Sequence, residues 1–408
     1  MILCKTDASM GVRLLDFVII AWRGRIYKKG EERRRSRLCQ KIWHEICKYS
    51  EQISERRGKI FMRIAILGCG AMGTVLGAYL TANGCPVDMV DSYQAHVDAL
   101  NEKGAHIVGT VDKTVPVRAM TPEQMEGIYD LVFLFTKQTA NDQVLPALPP
   151  HLGEDSTVCT LQNGVPEPYV AGYVGQNRTV GGTVLWGATF VGPGTSELTQ
   201  NIEKNDHLFE IGEMDGSIGP RIQKVADVLG YMGRPAKVTD GLMASRWGKL
   251  INNACMSGMS AVCGATFGGV LENPVSRACL SYLGREVKQC CEAAGYHLPL
   301  LLNEQSPDTL DLIDEAMYQA DQQMFQVMYQ DMHTAKASML QDLEKGKKTE
   351  VTMINGFVCQ TGDQHGIPTP FNHKVVEVVE KIESGELPLS IDNLQYFPRE
   401  WFTYPIEN

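Results

Sequence analysis

The chain lacks most of the signatures that would assign it quickly. It holds 12 cysteines but no C-x-x-C pair, and its nine histidines form no H-E-x-x-H or other metal-ligand spacing. A metal centre is therefore not expected. At 408 residues it needs no disulfide staples, so free thiols in a reducing cytoplasm are the simpler expectation. No apolar run approaches the roughly 20 residues of a membrane span. There is no overall basic excess: the net charge of −10 argues against nucleic acid as the main partner. Internal repeats are absent too.

The first 61 residues do not match the rest. They carry 15 Lys and Arg against 7 Asp and Glu, leaving 23 against 41 for the remainder. The Leu14 to Trp22 stretch is too short to span a bilayer and is interrupted by Asp16. Arg33-Arg34-Arg35-Ser36-Arg37 suits an acidic surface or a targeting sequence, but seven acids speak against a mitochondrial leader. Met62 opens directly onto a strand pattern, and Glu55-Arg56-Arg57-Gly58 can be encoded by purine-rich triplets resembling a ribosome-binding site. We read residues 1–61 as a basic extension that arises from an over-extended gene start. An intact mass matching the full length would refute this.

The stretch that organises the chain is Met62 to Asp91. Arg63 to Leu67 has the length and content of a buried parallel strand. It leads into Gly68-Cys69-Gly70-Ala71-Met72-Gly73, a G-x-G-x-x-G, then an apolar helix from Thr74 to Ala82 that Asn83-Gly84 can end. A second strand, Pro86 to Val90, closes with Asp91. Gly68 permits the tight turn, Gly70 leaves a pyrophosphate free to approach, and Gly73 lets the helix pack on the strand. The helix N-terminus offers N–H groups to phosphates, and Asp91 can accept bonds from an adenosine ribose. Dinucleotide binding is the expectation, with a plain βαβ turn as the alternative.

A polar helix from Gln94 to Lys103 follows, then strands near His106–Val108 and Thr114–Val117. Leu131 to Phe135 and Thr157 to Leu161 read as further buried strands, ending at Thr136-Lys137 and Gln162-Asn163-Gly164. Ligand crevices in open α/β sheets lie at the carboxyl ends of strands, so Lys137 and Asn163 are candidate contacts. A solvated charge and a turn pair are the alternatives. Val180 to Phe190 and Glu197 to Gly212 read as two strands of a hairpin closing the sheet. A helix from Pro220 to Leu229 and a strand near Ala236–Val238 lead to a domain boundary near Asp240.

From Gly241 onward the pattern is helical. Between Lys249 and Gly264 no other charge occurs, so this helix should be largely buried. Lys249, Asn253 and Ser257, spaced by four, would lie along one helix face. A buried ammonium loses proton affinity and can serve as an acid near neutral pH. A lysine snorkelling to water at the helix edge is the alternative. Asn273-Pro274 begins another helix, Leu298 to Ser306 is a loop, and Asp308 to Leu343 reads as long Met-rich helix ended by Ser338 to Asp342. Thr349 can cap the next helix, with Glu350 in its first turn, where it favours the helix N-terminus whether or not it has another role.

From Met62 to about Ser384 the sequence resembles the ketopantoate reductase family. Gly68 to Gly73, Gln162-Asn163-Gly164 and Trp247-Gly248-Lys249-Leu250 with Asn253 carry the resemblance. So do Ser338-Met339-Leu340-Gln341-Asp342, Thr349-Glu350 and Ile354-Asn355-Gly356. The resemblance implies a Rossmann NAD(P)-binding domain, residues 62–240, followed by an all-α domain of the 6-phosphogluconate dehydrogenase-like type, residues 241–408. It implies NAD(P)H-dependent reduction of ketopantoate to pantoate, in pantothenate synthesis, at a cleft between the two. By matched position, Lys249 is the general acid, Glu350 orients the substrate and the lysine, and Asn253 and Ser338 bind substrate. Lys137, Asn163 and Ala188 match cofactor-facing positions.

Two departures stand out. Ser257 replaces a second Asn among the substrate-binding positions, which leaves the 2-oxo acid open. Asp91 replaces an Arg suited to the NADP 2′-phosphate and favours NADH over NADPH. The expected partner is a small 2-oxo acid, with no nucleic acid, no membrane and a homodimer left open. A reductase of a different 2-oxo acid, or a non-catalytic NAD(P)-binding regulator, are the competing functions.

Overall fold

In the computed structural model, strand β1 (Ile64–Leu67) consists of four buried apolar residues, as a central parallel strand covered on both faces requires. The structure describes residues 62–301 and 304–406; the basic extension lies outside them. Helix α1 (Ala71–Ala82) follows, buries Thr74, Val75, Leu76, Ala78 and Leu80, and stops at Asn83-Gly84, where Gly84 has φ +91°. Strand β2 (Asp88–Val90), helix α2 (Gln94–Lys103), β3 (Ala105–Gly109), β4 (Lys113–Val115) and β5 (Arg118–Met120) come next. Then come β6 (Tyr129–Leu134), β7 (Leu152–Thr160), helix α3 (Glu167–Val174) and β8 (Thr179–Val184). After β9 (Ala188–Gly192), β10 (Thr195–Leu198), β11 (Phe209–Glu213) and helix α4 (Pro220–Leu229), the last strand is β12 (Ala236–Val238).

The main sheet has the order β12-β11-β8-β7-β6-β1-β2-β5. Its neighbours are parallel except β8 and β11, which are antiparallel. The order reverses at β1: the chain moves out to β2 on one side and back to β6 on the other. Such a reversal opens a crevice at the carboxyl ends of the strands. One apolar layer covers each face of the sheet, around Leu76, Leu100 and Phe133 on one side and Val132, Leu145 and Val170 on the other.

The hairpin expected around Gly192-Pro193-Gly194 is present as antiparallel β9 and β10, but it does not close the main sheet, and that part of the expectation is corrected. β8 and β11 do pair, but the chain leaves the main sheet at Leu185 and returns only at Leu208, whose carbonyl accepts from Leu185 N–H (3.0 Å). Trp186, where the chain leaves the main sheet, is buried edge-on against Phe209. The intervening β9 and β10 join β3 and β4 in a separate sheet of order β4-β3-β10-β9. The strand expected at Thr114–Val117 is cut short, since β4 ends at Val115. Pro116 has no N–H to offer a ladder, and it separates β4 in the small sheet from β5 at the edge of the main one.

Among the described residues from Leu242 on, every regular element is helical. They are α5 (Leu242–Ile251), α6 (Gly258–Cys263), α7 (Phe267–Glu272), α8 (Pro274–Ala293), α9 (Glu315–Tyr329), α10 (Ser338–Glu344), α11 (Val351–His365) and α12 (Pro370–Glu383). Asn273 caps α8, its side chain accepting from Val275 and Ser276 N–H. Their common core includes Trp247, Met256, Leu283, Phe325 and Val358. None of the described helices is long and apolar enough to cross a membrane.

Two helical expectations are corrected. Asn252–Ser257, between α5 and α6, is a π-helical turn, in which Gly258 N–H reaches the carbonyl of Asn253, five residues back. The Asn355 side chain, from α11, takes the Ala254 carbonyl (2.9 Å), and a side chain inserted into the ladder is a known cause of such a bulge. Lys249, Asn253 and Ser257 are therefore not on one uninterrupted α-helical face. Secondly, Ser338 begins a helix rather than ending one. The carbonyls of His333 and Ala335 are used by Gly268 and Phe267 N–H at the start of α7, so the chain between α9 and α10 cannot continue a helical ladder.

Candidate active site

The glycine loop follows directly from β1. Gly68 has φ +89°, and a Cβ there would stand 2.4 Å from the backbone nitrogen of Thr136. At Gly73 a Cβ would meet the Gly68 carbonyl oxygen at 2.3 Å, so α1 starts hard against the turn. A Cβ at Gly70 would meet nothing within 4 Å, which leaves open space over the loop where phosphates could approach the α1 N-terminus. Cys69 is buried, its thiol donating to the Ile66 carbonyl (3.3 Å), while Ala71 and Met72 are half-buried. Asp91, just past β2, accepts from Tyr93 N–H (2.9 Å) through one carboxylate oxygen. These features fit a dinucleotide with its pyrophosphate over the loop and its ribose beside Asp91.

The loop is braced by a residue the sequence reading passed over. His96, on α2, is buried; its Nε2 lies 2.6 Å from the Cys69 carbonyl, and its Nδ1 accepts from Gly194 N–H (2.9 Å). The imidazole thus links the glycine loop to the β9–β10 turn. Burial holds its pKa below the ordinary histidine value.

A second cluster forms where β6, β7 and β8 end. Lys137 and Gln138 follow β6, Asn163 follows β7, and Val184 closes β8. Glu350, buried at the start of α11, accepts from Gln138 N–H (2.9 Å). Burial raises its carboxyl above the usual range; the Gln138 N–H, the Lys137 charge and the Asn163 side chain pull against that shift. Lys137 is 43% exposed and bonds to Asp342 of α10 at 2.5 Å, so its charge is engaged rather than free toward a ligand. Gln138 also donates from Nε2 to the Asn163 carbonyl (2.5 Å). The strand ends and the helical half therefore share one polar network.

Lys249, half-buried on α5, donates from Nζ to the Val184 carbonyl (3.2 Å). Burial and then the Arg246 charge pull its pKa down to about 8, while Glu350 acts in the opposite sense. Asn253 and Ser257 lie in the π-helical turn that follows. The buried Nδ2 of Asn253 has no hydrogen-bond partner among the described residues, an unmet donor that a substrate oxygen would satisfy. Ser257 is buried; Ser338 is exposed at the first position of α10, the helix that also carries Asp342. Ala188 opens β9 in the small sheet, four residues beyond the end of β8, and packs against the apolar cluster that includes Val184 and Trp186. No cluster of His, Cys, Asp or Glu among the described residues could hold a metal, and the nine described cysteines are all buried and free.

Sequence reasoning missed four members of this region: Gln138, Asp342, Arg246 and Glu167. Two left a trace: Asp342 as the last residue of the Ser338–Asp342 motif, and Arg246 as a second cation three residues before Lys249 on an otherwise apolar helix.

A glycine loop at the switch point of the sheet, with a lysine and a carboxylate from the helical half bonded at the neighbouring strand ends, is the arrangement of a dinucleotide-binding enzyme. Residues 64–215 match the family model described as Ketopantoate reductase PanE/ApbA, and residues 241–383 match its C-terminal counterpart. A 2-dehydropantoate 2-reductase of Archaeoglobus fulgidus is 28% identical over 326 residues, covering 79% of this chain and 98% of the relative. A PanE/ApbA family ketopantoate reductase structure from Ralstonia eutropha superposes with a TM-score of 0.67 at 24% identity, over 80% of this chain and 99% of the other. A D-mandelate dehydrogenase solved with NADH and anilino(oxo)acetate also superposes at 0.67, with 22% identity over 79% of this chain and 99% of that one. The chain belongs to the ketopantoate reductase family, as an oxidoreductase acting on CH–OH groups with NAD(P).

Proposed function

We propose that the chain reduces 2-dehydropantoate (ketopantoate) to pantoate, in pantothenate synthesis in the cytoplasm, with Lys249 as the proton donor. The observation that carries this reading is Lys249 itself: a half-buried ammonium at the carboxyl end of β8, held near pKa 8, on the helix that leads into the turn with the unmet amide donor of Asn253. Gly68 to Gly73 and Asp91 would hold the dinucleotide, with Lys137, Asn163 and Ala188 flanking it. When bound, its reduced nicotinamide supplies the hydride that the keto carbon takes up. Lys249 Nζ holds the proton that the carbonyl oxygen needs as its charge develops, and releases it at modest cost because its pKa is already depressed. Glu350, buried and fixed by Gln138 N–H, orients substrate and lysine. Asn253, Ser257 and Ser338 supply hydrogen bonds to the substrate. The Asp91 carboxylate accepts from a free 2′-OH and repels a 2′-phosphate, which supports NADH over NADPH.

Ser257 favours one second reading: a shorter side chain where relatives have Asn suits a 2-oxo acid other than ketopantoate, with the mechanism unchanged. Oxidation of NADH and NADPH by the full-length chain, with ketopantoate and a panel of branched and aryl 2-oxo acids, tests both. Highest kcat/KM with ketopantoate and NADH is expected. A better substrate elsewhere in the panel moves the specificity, and cofactor binding without turnover of any acid overturns the reading in favour of a regulator.

A further inference from the structure

Arg246 is an arginine with no exposed side-chain surface, one helical turn before Lys249 on α5. Each of its three nitrogens is engaged. Nε donates to Glu167 Oε1 (2.6 Å), Nη1 to the Gln162 carbonyl (2.7 Å), and Nη2 to the Thr160 carbonyl (3.0 Å) and to Glu167. Those two carbonyls belong to the carboxyl end of β7, immediately before Asn163. From there the Gln162 side chain continues to the Thr136 carbonyl (2.8 Å) and Asn141 Oδ1 (2.7 Å). One guanidinium therefore ties α5 to the strand end from which Asn163, Gln138 and Glu350 are linked.

Its partner is as confined. Glu167 is the first residue of α3 and fully buried, and a Cβ on Gly181 of β8 would overlap its carboxylate. Its Oε2 has no hydrogen-bond partner among the described residues. A buried ion pair contributes little net stability compared with an apolar replacement, which leaves its presence here to be explained by what it does to its neighbours.

We propose that Arg246 and Glu167 act as a positioning pair for the proton donor: Arg246 fixes the junction of β7 with α5 and sets a permanent positive charge beside Lys249, and Glu167 moderates that charge. The proposal rests on the reading of Lys249 as the acid. The charged groups acting on Lys249 are Arg246 from its own helix and Glu350 from α11, which oppose each other. Glu167 offsets the Arg246 charge, and the Cys159 thiol of β7 feels both members of the pair as well as Glu213 of β11, which Arg221 holds. Burial pushes the Glu167 carboxyl up and Arg246 draws it back toward ionisation.

The two members of the pair predict shifts of opposite sign. Arg246→Met removes a positive neighbour, so the Lys249 pKa rises from about 8 by about one pH unit. Glu167→Gln leaves the Arg246 charge uncompensated, so the Lys249 pKa falls. Full-length protein labelled with 13Cε-lysine, its Lys249 resonance assigned by Lys249→Arg, reports both by NMR titration without turnover. The alkaline limb of kcat/KM should move with the resonance. Resonances that stay in place, or that move in the same direction in both variants, overturn the proposal and leave the pair a structural brace. Should Arg246→Met not fold, Glu167→Gln carries the test alone, with a lowered Lys249 pKa supporting the proposal and an unmoved one refuting it. Opposite shifts in a protein that reduces no 2-oxo acid would keep the pair and discard the catalytic reading instead.

Discussion

The nucleotide-binding half and the helical half build their parts of the site in different ways. In the first, six consecutive residues, Gly68 to Gly73, make the loop, and backbone shape rather than side-chain chemistry defines it. The second adds single side chains: the polar cluster joins Lys249 and Glu350 from its helices to Lys137 and Asn163 at the strand ends of the first, and the Gln138–Glu350 hydrogen bond alone joins positions 212 residues apart. A loop of the first kind tolerates little change of shape. A cluster of the second kind tolerates packing changes but fails when one charge is lost.

Four substitutions sharpen that contrast. The largest effect is expected at Lys249→Ala, which should lower kcat/KM by roughly 10²–10⁴-fold while NADH binding, followed by fluorescence, is kept. Gly73→Val sets a branched side chain against the Gly68 carbonyl. It should cost about 3 kcal/mol in urea unfolding and abolish NADH binding, a loss of shape where the first was a loss of chemistry. Next comes Glu350→Gln, which keeps the size of the side chain but removes the charge proposed to orient the lysine. A fall in kcat of about 10²-fold with a folded, NADH-binding protein is expected from steady-state kinetics. The smallest is Asp91→Ser, which should raise the NADPH/NADH ratio of kcat/KM about tenfold by removing one like-charge repulsion.

What could be read from the sequence follows the same division. β1, the glycine turn, α1 and Asp91 were legible because each depends on residues within one local run. Lys249 was legible as a cation on an apolar helix, and Lys137 and Asn163 as residues at strand ends. The partners that give these groups their properties were not. Arg246 meets Glu167 across 79 positions, and Lys137 meets Asp342 only because β6 and α10 converge. The π-helical turn at Asn252–Ser257 depends on Asn355, about a hundred residues away, so an unbroken helix was the natural expectation from spacing. The small β4-β3-β10-β9 sheet was hidden for a similar reason, since it pairs strands about ninety residues apart and Trp186, where the chain leaves the main sheet, packs on the distant Phe209.

The measurement that bears most directly on the central claim is the pH dependence of kcat/KM for 2-oxo acid reduction by the wild-type chain, from roughly pH 6 to 10. An acid must be protonated to donate, so Lys249 predicts a plateau below its pKa of about 8 and a fall above it. That fall should approach about tenfold per pH unit and be absent from the residual activity of Lys249→Ala. A wild-type rate that does not change across this range, or an alkaline limb that survives in Lys249→Ala, would contradict the assignment of Lys249 as the proton donor.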